Sequence, residues 1–163
     1  MDITKSSRHS KIAGDFGESL VLYWLSKFGF ECASVDHTGI DLIARNPHTK
    51  EFMGISVKSR TRTQGKEEDS ITIPSDSFDK ATSACEAFGG CVPYFAIVVD
   101  AANLMRVFLL SMDHLRNICP VKERGCYWKV SNKYLDMYMN DPEIKIIELH
   151  TATKRWWESE TTE

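Results

Sequence analysis

The sequence lacks any run of about 18 consecutive apolar residues, the length that a membrane-spanning helix needs. Its start, MDITKSSRHSK, also lacks the apolar segment of a secretory signal peptide. The two absences predict a protein that does not associate with a membrane and that resides in the cytoplasm.

Metal-binding and disulfide patterns are missing as well. The five cysteines are odd in number and form no CxxC pair, and the five histidines form no HxxxH. We therefore expect neither a disulfide framework nor a structural zinc site, and no motif indicates a small-molecule cofactor.

A net positive charge is the third absence, since the formal net charge is −3. A protein that coats nucleic acid usually presents a broad basic field, so any phosphate contact of this chain must be local. The densest positive stretch consists of Lys58, Arg60, Arg62 and Lys66, and Glu67, Glu68 and Asp69 follow it directly. Such a run is either a solvated loop or a phosphate-binding segment.

The apolar pattern predicts one domain over residues 1–163, because 42% hydrophobic and 26% charged residues are typical of a globular chain. Helical spacing predicts a helix at 11–28, in which Gly17 would allow close contact with a sheet. Strands are predicted at 31–35, 40–44, 52–58, 71–74, 94–99 and 105–110, with a second helix at 75–88. The strand at 94–99 is apolar throughout, so it should lie in the middle of the sheet.

Signals are weaker in residues 111–150, which we expect to form a C-terminal extension. Ser111 can cap a short helix, and strands at 126–130 and 143–149 would cover the core or extend the sheet. Residues 151–163 form a polar tail with Trp156 and Trp157, which could contact a partner or pack back on the body.

Two ionisable residues stand out in the predicted hairpin, Asp41 on its first strand and Lys58 at the end of its second. Side chains alternate between the faces of a strand, so Ser56 and Lys58 share one face while Ile55 belongs to the other, core face. Antiparallel pairing could bring Asp41 and Lys58 onto one surface. A structural ion pair between them is the alternative to a functional site.

The order helix, strand, strand, strand, helix, strand (αβββαβ) resembles the PD-(D/E)xK nuclease superfamily, which includes restriction endonucleases and archaeal Holliday junction resolvases. The resemblance covers about residues 11–110. Its motifs are GDFGE from Gly14, GIDLIA from Gly39 and ISVKSR from Ile55. They are moderately specific in this order and weak singly.

The resemblance implies an α/β, restriction-endonuclease-like core, a mixed sheet flanked by helices, and hydrolysis of DNA with Mg²⁺ or Mn²⁺. Asp41 would be a metal ligand, Lys58 would stabilise the negative charge that develops on the phosphate, and Glu18 would match the first-helix glutamate of resolvase-like members. The resemblance also leaves a homodimer open.

The sequence departs from the superfamily pattern at Ser56, where a metal-binding acid is expected. A serine hydroxyl is a much weaker Mg²⁺ ligand than a carboxylate. Either another acid completes the site, or the fold persists as a catalytically inactive module that binds nucleic acid or a protein. The candidate acids are Glu18 first, and then Asp36, Glu67 and Asp69.

The basic residues Arg60, Arg62 and Lys66 follow the lysine strand directly, where a scissile strand would enter. We expect them to contact phosphates without reading bases.

Overall fold

A computed structural model of the protein describes residues 4–152, so the predicted contact of Trp156 and Trp157 lies outside the described residues. The helices within this range are α1 (His9–Lys27), α2 (Asp76–Ala87), α3 (Met112–Ile118) and α4 (Asn132–Met139). The strands are β1 (Glu31–His37), β2 (Ile40–Arg45), β3 (Phe52–Thr61), β4 (Ile71–Pro74), β5 (Val92–Ala101), β6 (Leu104–Ser111), β7 (Gly125–Trp128) and β8 (Lys145–His150).

Six strands form the main sheet in the order β1-β2-β3-β5-β6-β8. The β3–β5 pair is parallel and the other pairs are antiparallel, so the sheet is mixed. Helix α1 packs on one face and α2 on the other. The α/β class with a mixed sheet between helices is therefore confirmed. No helix among the described residues has the length and apolar character that crossing a membrane requires.

Strand β5 lies between β3 and β6, and both of its faces are buried, as the continuous apolar run predicts. Phe95 and Ile97 join the cluster under α2, while Ala96 and Val98 join the cluster under α1. Burial of alternate side chains on two faces explains why this segment has no polar position.

Strand β3 is covered on both faces, whereas the sequence assigned core positions only to the face of Ile55. Gly54 lies under α2, where an added Cβ would come within 2.5 Å of the Cys85 sulfur. Ser56 on the same face is also buried. The predicted strand at 71–74 forms as β4, but it pairs with β7 in a separate two-stranded sheet.

The C-terminal segment contributes to both sheets. Strand β8 extends the main sheet by pairing with β6, and Ser111 caps α3 by accepting a hydrogen bond from the His114 N–H at 3.2 Å. The predicted edge strand and the predicted short helix are thus both present.

Candidate active site

Asp41 lies where the β2–β3 ladder ends. The paired residues run as far as Leu42 and Ile55, and beyond them the Val57 N–H donates to the Asp41 carboxylate oxygen Oδ2 at 2.6 Å. The side chain thus accepts a hydrogen bond that a strand carbonyl would otherwise accept. This bond fixes the half-buried carboxylate against β3.

Gly39 positions the turn that leads into Asp41. Its φ is +108°, and a Cβ there would collide with the backbone carbonyl of Lys80 on α2. Glycine therefore lets the β1–β2 turn lie directly against α2. Asp41 is held from two sides, by this contact and by Val57.

Gly39→Ala should lower the free energy of unfolding by ~2 kcal/mol or more, because the methyl group adds a steric collision to the cost of a positive φ. Gly65→Ala is the matched control, since Gly65 has φ +82° and open space around its Cα. In urea denaturation, Gly65→Ala should lower the free energy of unfolding by less than Gly39→Ala does. Equal losses would mean that the contact with Lys80 is unimportant.

Lys58 is half-buried on the face of β3 that α2 covers, paired with Ile97. Burial lowers the pKa of Lys58, and the negative charge of Asp41 opposes that effect only in part. Burial likewise raises the pKa of Asp41, against the opposing effects of the Val57 hydrogen bond and of Lys58. The two groups therefore lie close together, but their attraction does not offset the cost of burying their charges.

Asp41 and Lys58 do not form a closed ion pair. The ion pairs among residues 4–152 involve other side chains. This arrangement differs from the structural ion pair between Asp41 and Lys58 that the sequence analysis gave as the alternative to a functional site. Buried, incompletely compensated charges are typical of sites that bind a charged ligand.

Glu18 on α1 is half-buried and close to Asp41. Burial raises the pKa of Glu18, and the negative charges of Asp41 and Asp15 raise it further. Glu18 thus faces the hairpin and is not a plain solvated carboxylate. Two carboxylates that repel each other form a donor set that a divalent cation would stabilise.

Ser56 on β3 is only 2% exposed and is paired with Phe95 on the neighbouring strand. Its neutral hydroxyl adds no charge to the site. Among the described residues, the other candidate acids, Asp36, Glu67 and Asp69, shift the pKa of neither Asp41 nor Lys58.

Asp76 is an acid that the sequence analysis missed. It lies in the first turn of α2, and its negative charge raises the pKa of Lys58. An acid in a first helical turn usually serves the helix dipole, so its sequence position does not single it out.

The three basic residues that are predicted to contact phosphates, Arg60, Arg62 and Lys66, have different surroundings. Arg60 and Lys66 are exposed. The Arg62 guanidinium donates to the carbonyls of Asp69 and Ser70 at 2.9 and 2.6 Å, so Arg62 ties down the loop that follows β3. Arg60 donates from one guanidinium nitrogen to the Ser59 carbonyl at 2.7 Å, and its side chain, like that of Lys66, is accessible to a ligand.

The amino-terminal segment brings further positive charge to the end of β3. Lys5 Nζ donates to the Thr61 carbonyl at 2.9 Å, and His9 Nε2 and Thr61 Oγ1 form a hydrogen bond of 3.1 Å. Arg8 precedes His9 and is exposed. No sequence signal predicts this grouping, because more than 50 residues separate its parts.

Away from the hairpin, His114, Asp141 and Glu143 form a cluster of possible metal ligands. The two ring nitrogens of His114 contact different carboxylates, Nε2 that of Asp141 at 2.7 Å and Nδ1 that of Glu143 at 3.2 Å. The His114 ring thus links α3 to the segment before β8, which is a structural role.

Comparisons with known proteins address the fold. No family model and no curated protein matches the chain. The sheet, its flanking helices and the hairpin nevertheless have the restriction-endonuclease-like fold that the sequence predicts. The chain is similar to the solved structure of Hjc from Archaeoglobus fulgidus, a Holliday junction resolvase from an archaeal hyperthermophile. The TM-score is 0.51 at 21% identity, over 76% of this chain and 88% of that one.

Proposed function

We propose that the protein is a metal-dependent nuclease that hydrolyses DNA phosphodiester bonds. Asp41 and Glu18 would bind Mg²⁺ or Mn²⁺, and Lys58 would lie beside the scissile phosphate. The observation that carries this proposal is the position of Asp41, which the Val57 N–H holds close to both Lys58 and Glu18. An acid between a lysine and a second acid suits a site for a cation and a phosphate.

The donor set fits a hard divalent cation. Asp41 and Glu18 are carboxylates, the ligands that Mg²⁺ and Mn²⁺ prefer, and the charge of Asp41 already raises the pKa of Glu18. Such an ion, when bound, makes a coordinated water more acidic and offsets negative charge on the phosphate. Protons compete with the metal at both acids, and their raised pKa values place that competition at a higher pH than for ordinary carboxylates.

Lys58 contributes a positive charge at a fixed place on the sheet. Its half-buried stem limits its movement, so the ammonium needs little reorganisation when negative charge develops on the phosphate. Arg60, Lys66 and Arg8 lie on or near the end of β3, where they can hold the DNA backbone.

A cleavage assay tests the proposal. Hjc is described as a Holliday junction resolvase, which makes a four-way DNA junction the first substrate to try, beside linear duplex and single-stranded DNA. We expect cleavage of at least one substrate with Mg²⁺ or Mn²⁺ and none in EDTA. Cleavage that continues in EDTA, or three intact substrates with both metals, would contradict the proposal.

An inactive, DNA-binding module is the second candidate function, and the neutral, buried Ser56 favours it. In that case the protein would bind DNA without cutting it. Binding alone would then depend on the basic residues around the end of β3.

Both candidate functions predict a salt-dependent interaction with DNA. Changing Arg8 and Arg60 together to Gln should weaken binding and reduce the slope of log K against log salt by about 0.9 per lost phosphate contact. Lys27 and Arg45, changed together to Gln, form the matched control, because they lie near the other ends of α1 and β3. Fluorescence anisotropy over a salt series measures the slope. An equal effect of both double variants would argue against a localised contact.

A further inference from the structure

An apolar groove lies between the first two turns of α1 and the end of the main sheet, and we call it the α1 groove. Helix α1 contributes Ile12 and Phe16 to it. The sheet contributes Thr61, Asp100 and Met105, which are paired side by side on β3, β5 and β6. Its volume is about 130 Å³, whereas a site for one water molecule needs only about 10–15 Å³. The α1 groove therefore has room for a ligand much larger than water.

The helix side of the α1 groove is apolar and uncovered. The buried stripe of α1 runs from Gly17 to Leu25 and continues toward the start of the helix as Phe16 and Ile12. These two side chains are 50% and 53% exposed, because the sheet ends beneath them. An aromatic ring that is open to solvent beside basic residues is a common means of stacking a nucleic-acid base.

Negative charge lies inside the α1 groove and positive charge at its rim. Burial raises the pKa of Asp100, and the positive charges of His9 and Lys5 oppose that effect only in part. Among the described residues, no ion pair includes Asp100. Lys5 and His9 both bond to Thr61, and the exposed Arg60 lines the same end of the groove. A phosphate is thus attracted to the rim and repelled from the interior.

This distribution of charge and apolar surface matches a single nucleotide. A nucleotide has a negative phosphate and a flat base, and three of the four DNA bases carry an amino group that can donate to a carboxylate. In a paired duplex the base is stacked and its amino group is engaged, so only an unpaired base can enter such a groove.

The α1 groove adjoins the candidate active site. Ser59 in its floor directly follows Lys58 on β3, and Gly17 above Ser59 directly precedes Glu18 on α1. One residue along each element thus separates the groove from the site. A DNA strand whose scissile phosphate lies at Lys58 can place a neighbouring nucleotide in the groove.

We propose that the α1 groove binds one unpaired nucleotide of the DNA substrate, with its base against Phe16 and its amino group on Asp100. The inference rests on the proposed function, because it assumes that the scissile strand lies at Asp41 and Lys58. It narrows the substrate to DNA that has an unpaired nucleotide next to the scissile bond, such as a bulge, a flap or an open junction.

Binding of two fluorescein-labelled hairpin duplexes to the full chain tests the inference. One duplex carries a single unpaired cytosine and the other is fully paired, and fluorescence anisotropy is measured once in EDTA and once with Ca²⁺. The wild type should bind the bulged duplex about tenfold more tightly than the paired one, because stacking of one base on an aromatic side chain adds affinity.

Phe16→Ala removes the aromatic side of the α1 groove. It should weaken binding of the bulged duplex by about fivefold or more and leave the paired duplex within about twofold of the wild type. Tyr23→Ala is the matched control, since Tyr23 is an aromatic residue of the same helix that is 61% exposed and lies outside the groove. It should bind both duplexes within about twofold of the wild type.

Asp100→Asn tests the contact with the amino group. When thymine, which has no amino group, replaces the unpaired cytosine, the affinity of the wild type should fall by about fivefold or more. The Asp100→Asn variant should bind the two bulged duplexes within about twofold of each other. This readout is a ratio within one protein, so a partly folded sample does not imitate it.

Equal binding of bulged and paired DNA by the wild type would overturn the inference and leave the proposed function standing. A Phe16→Ala variant that keeps the preference for the bulge would do the same. Equal weakening of both duplexes by Phe16→Ala, with a lower mass in sedimentation, would show that a second copy of the chain occupies the groove and would also overturn the inference. A wild type that binds neither duplex in EDTA or with Ca²⁺ would overturn both the inference and the proposed function.

Discussion

Asp41→Asn should reduce the rate of DNA cleavage by about 10³-fold, equivalent to roughly 4 kcal/mol of transition-state stabilisation. The neutral amide can still accept the Val57 hydrogen bond, so the hairpin keeps its geometry. What is lost is the negative charge that would hold the metal beside Lys58. Single-turnover cleavage at saturating DNA measures the loss.

The same change should leave the fold as stable as the wild type or more stable. The pKa of Asp41 is raised in the folded protein, so the folded state binds the proton more readily than the unfolded state does. Ionisation of Asp41 therefore lowers the free energy of unfolding. This cost is absent below the ordinary carboxyl pKa, grows as the pH rises, and is present in full above the raised pKa. At neutral pH the amide avoids this cost.

Thermal unfolding at neutral pH, with Asp36→Asn as the control, checks the stability of the Asp41 variant. Asp36 is an exposed acid on β1, and its loss should change neither stability nor cleavage. An Asp41 variant that unfolds early, or one that cuts like the wild type, would contradict the assigned role.

Lys58→Met should reduce the single-turnover rate by about 10²- to 10³-fold, the effect of removing one fixed donor from a developing negative charge. Methionine keeps most of the half-buried side chain and removes only the ammonium, so folding should persist. Binding of Mn²⁺ should persist as well, because no ligand is lost.

Lys80→Met is the matched control for Lys58→Met. Lys80 is a second lysine near the site, but it is more exposed and is paired with Asp76. Its loss should change the rate by less than about tenfold. Similar losses in both variants would mean that Lys58 has no special role and that the general positive charge of the region matters.

The hairpin and the first helix could be predicted because their signals are local. Alternation over 52–58 identifies β3, and the spacing of apolar residues identifies α1, with Gly17 against the sheet at Ser59. Asp41 and Lys58 stood out because each interrupts an otherwise apolar strand. Pairing of neighbouring strands then brings the two together.

Other parts of the site depend on contacts between distant segments. Arg62 is one of several basic residues in sequence, and only the fold directs its guanidinium to the carbonyls of the following loop. Lys5 reaches Thr61 across 56 residues. Residue type and spacing carry no information about such contacts.

Whether the site works despite Ser56 depends on Glu18, the acid on α1 that faces Asp41. The most direct measurement is the Mg²⁺ concentration that gives half the maximal cleavage rate, compared between the wild type and Glu18→Gln. If Glu18 is a second carboxylate ligand, the variant should need at least about tenfold more Mg²⁺ to reach half its maximal rate. The same Mg²⁺ dependence in both proteins would contradict the account.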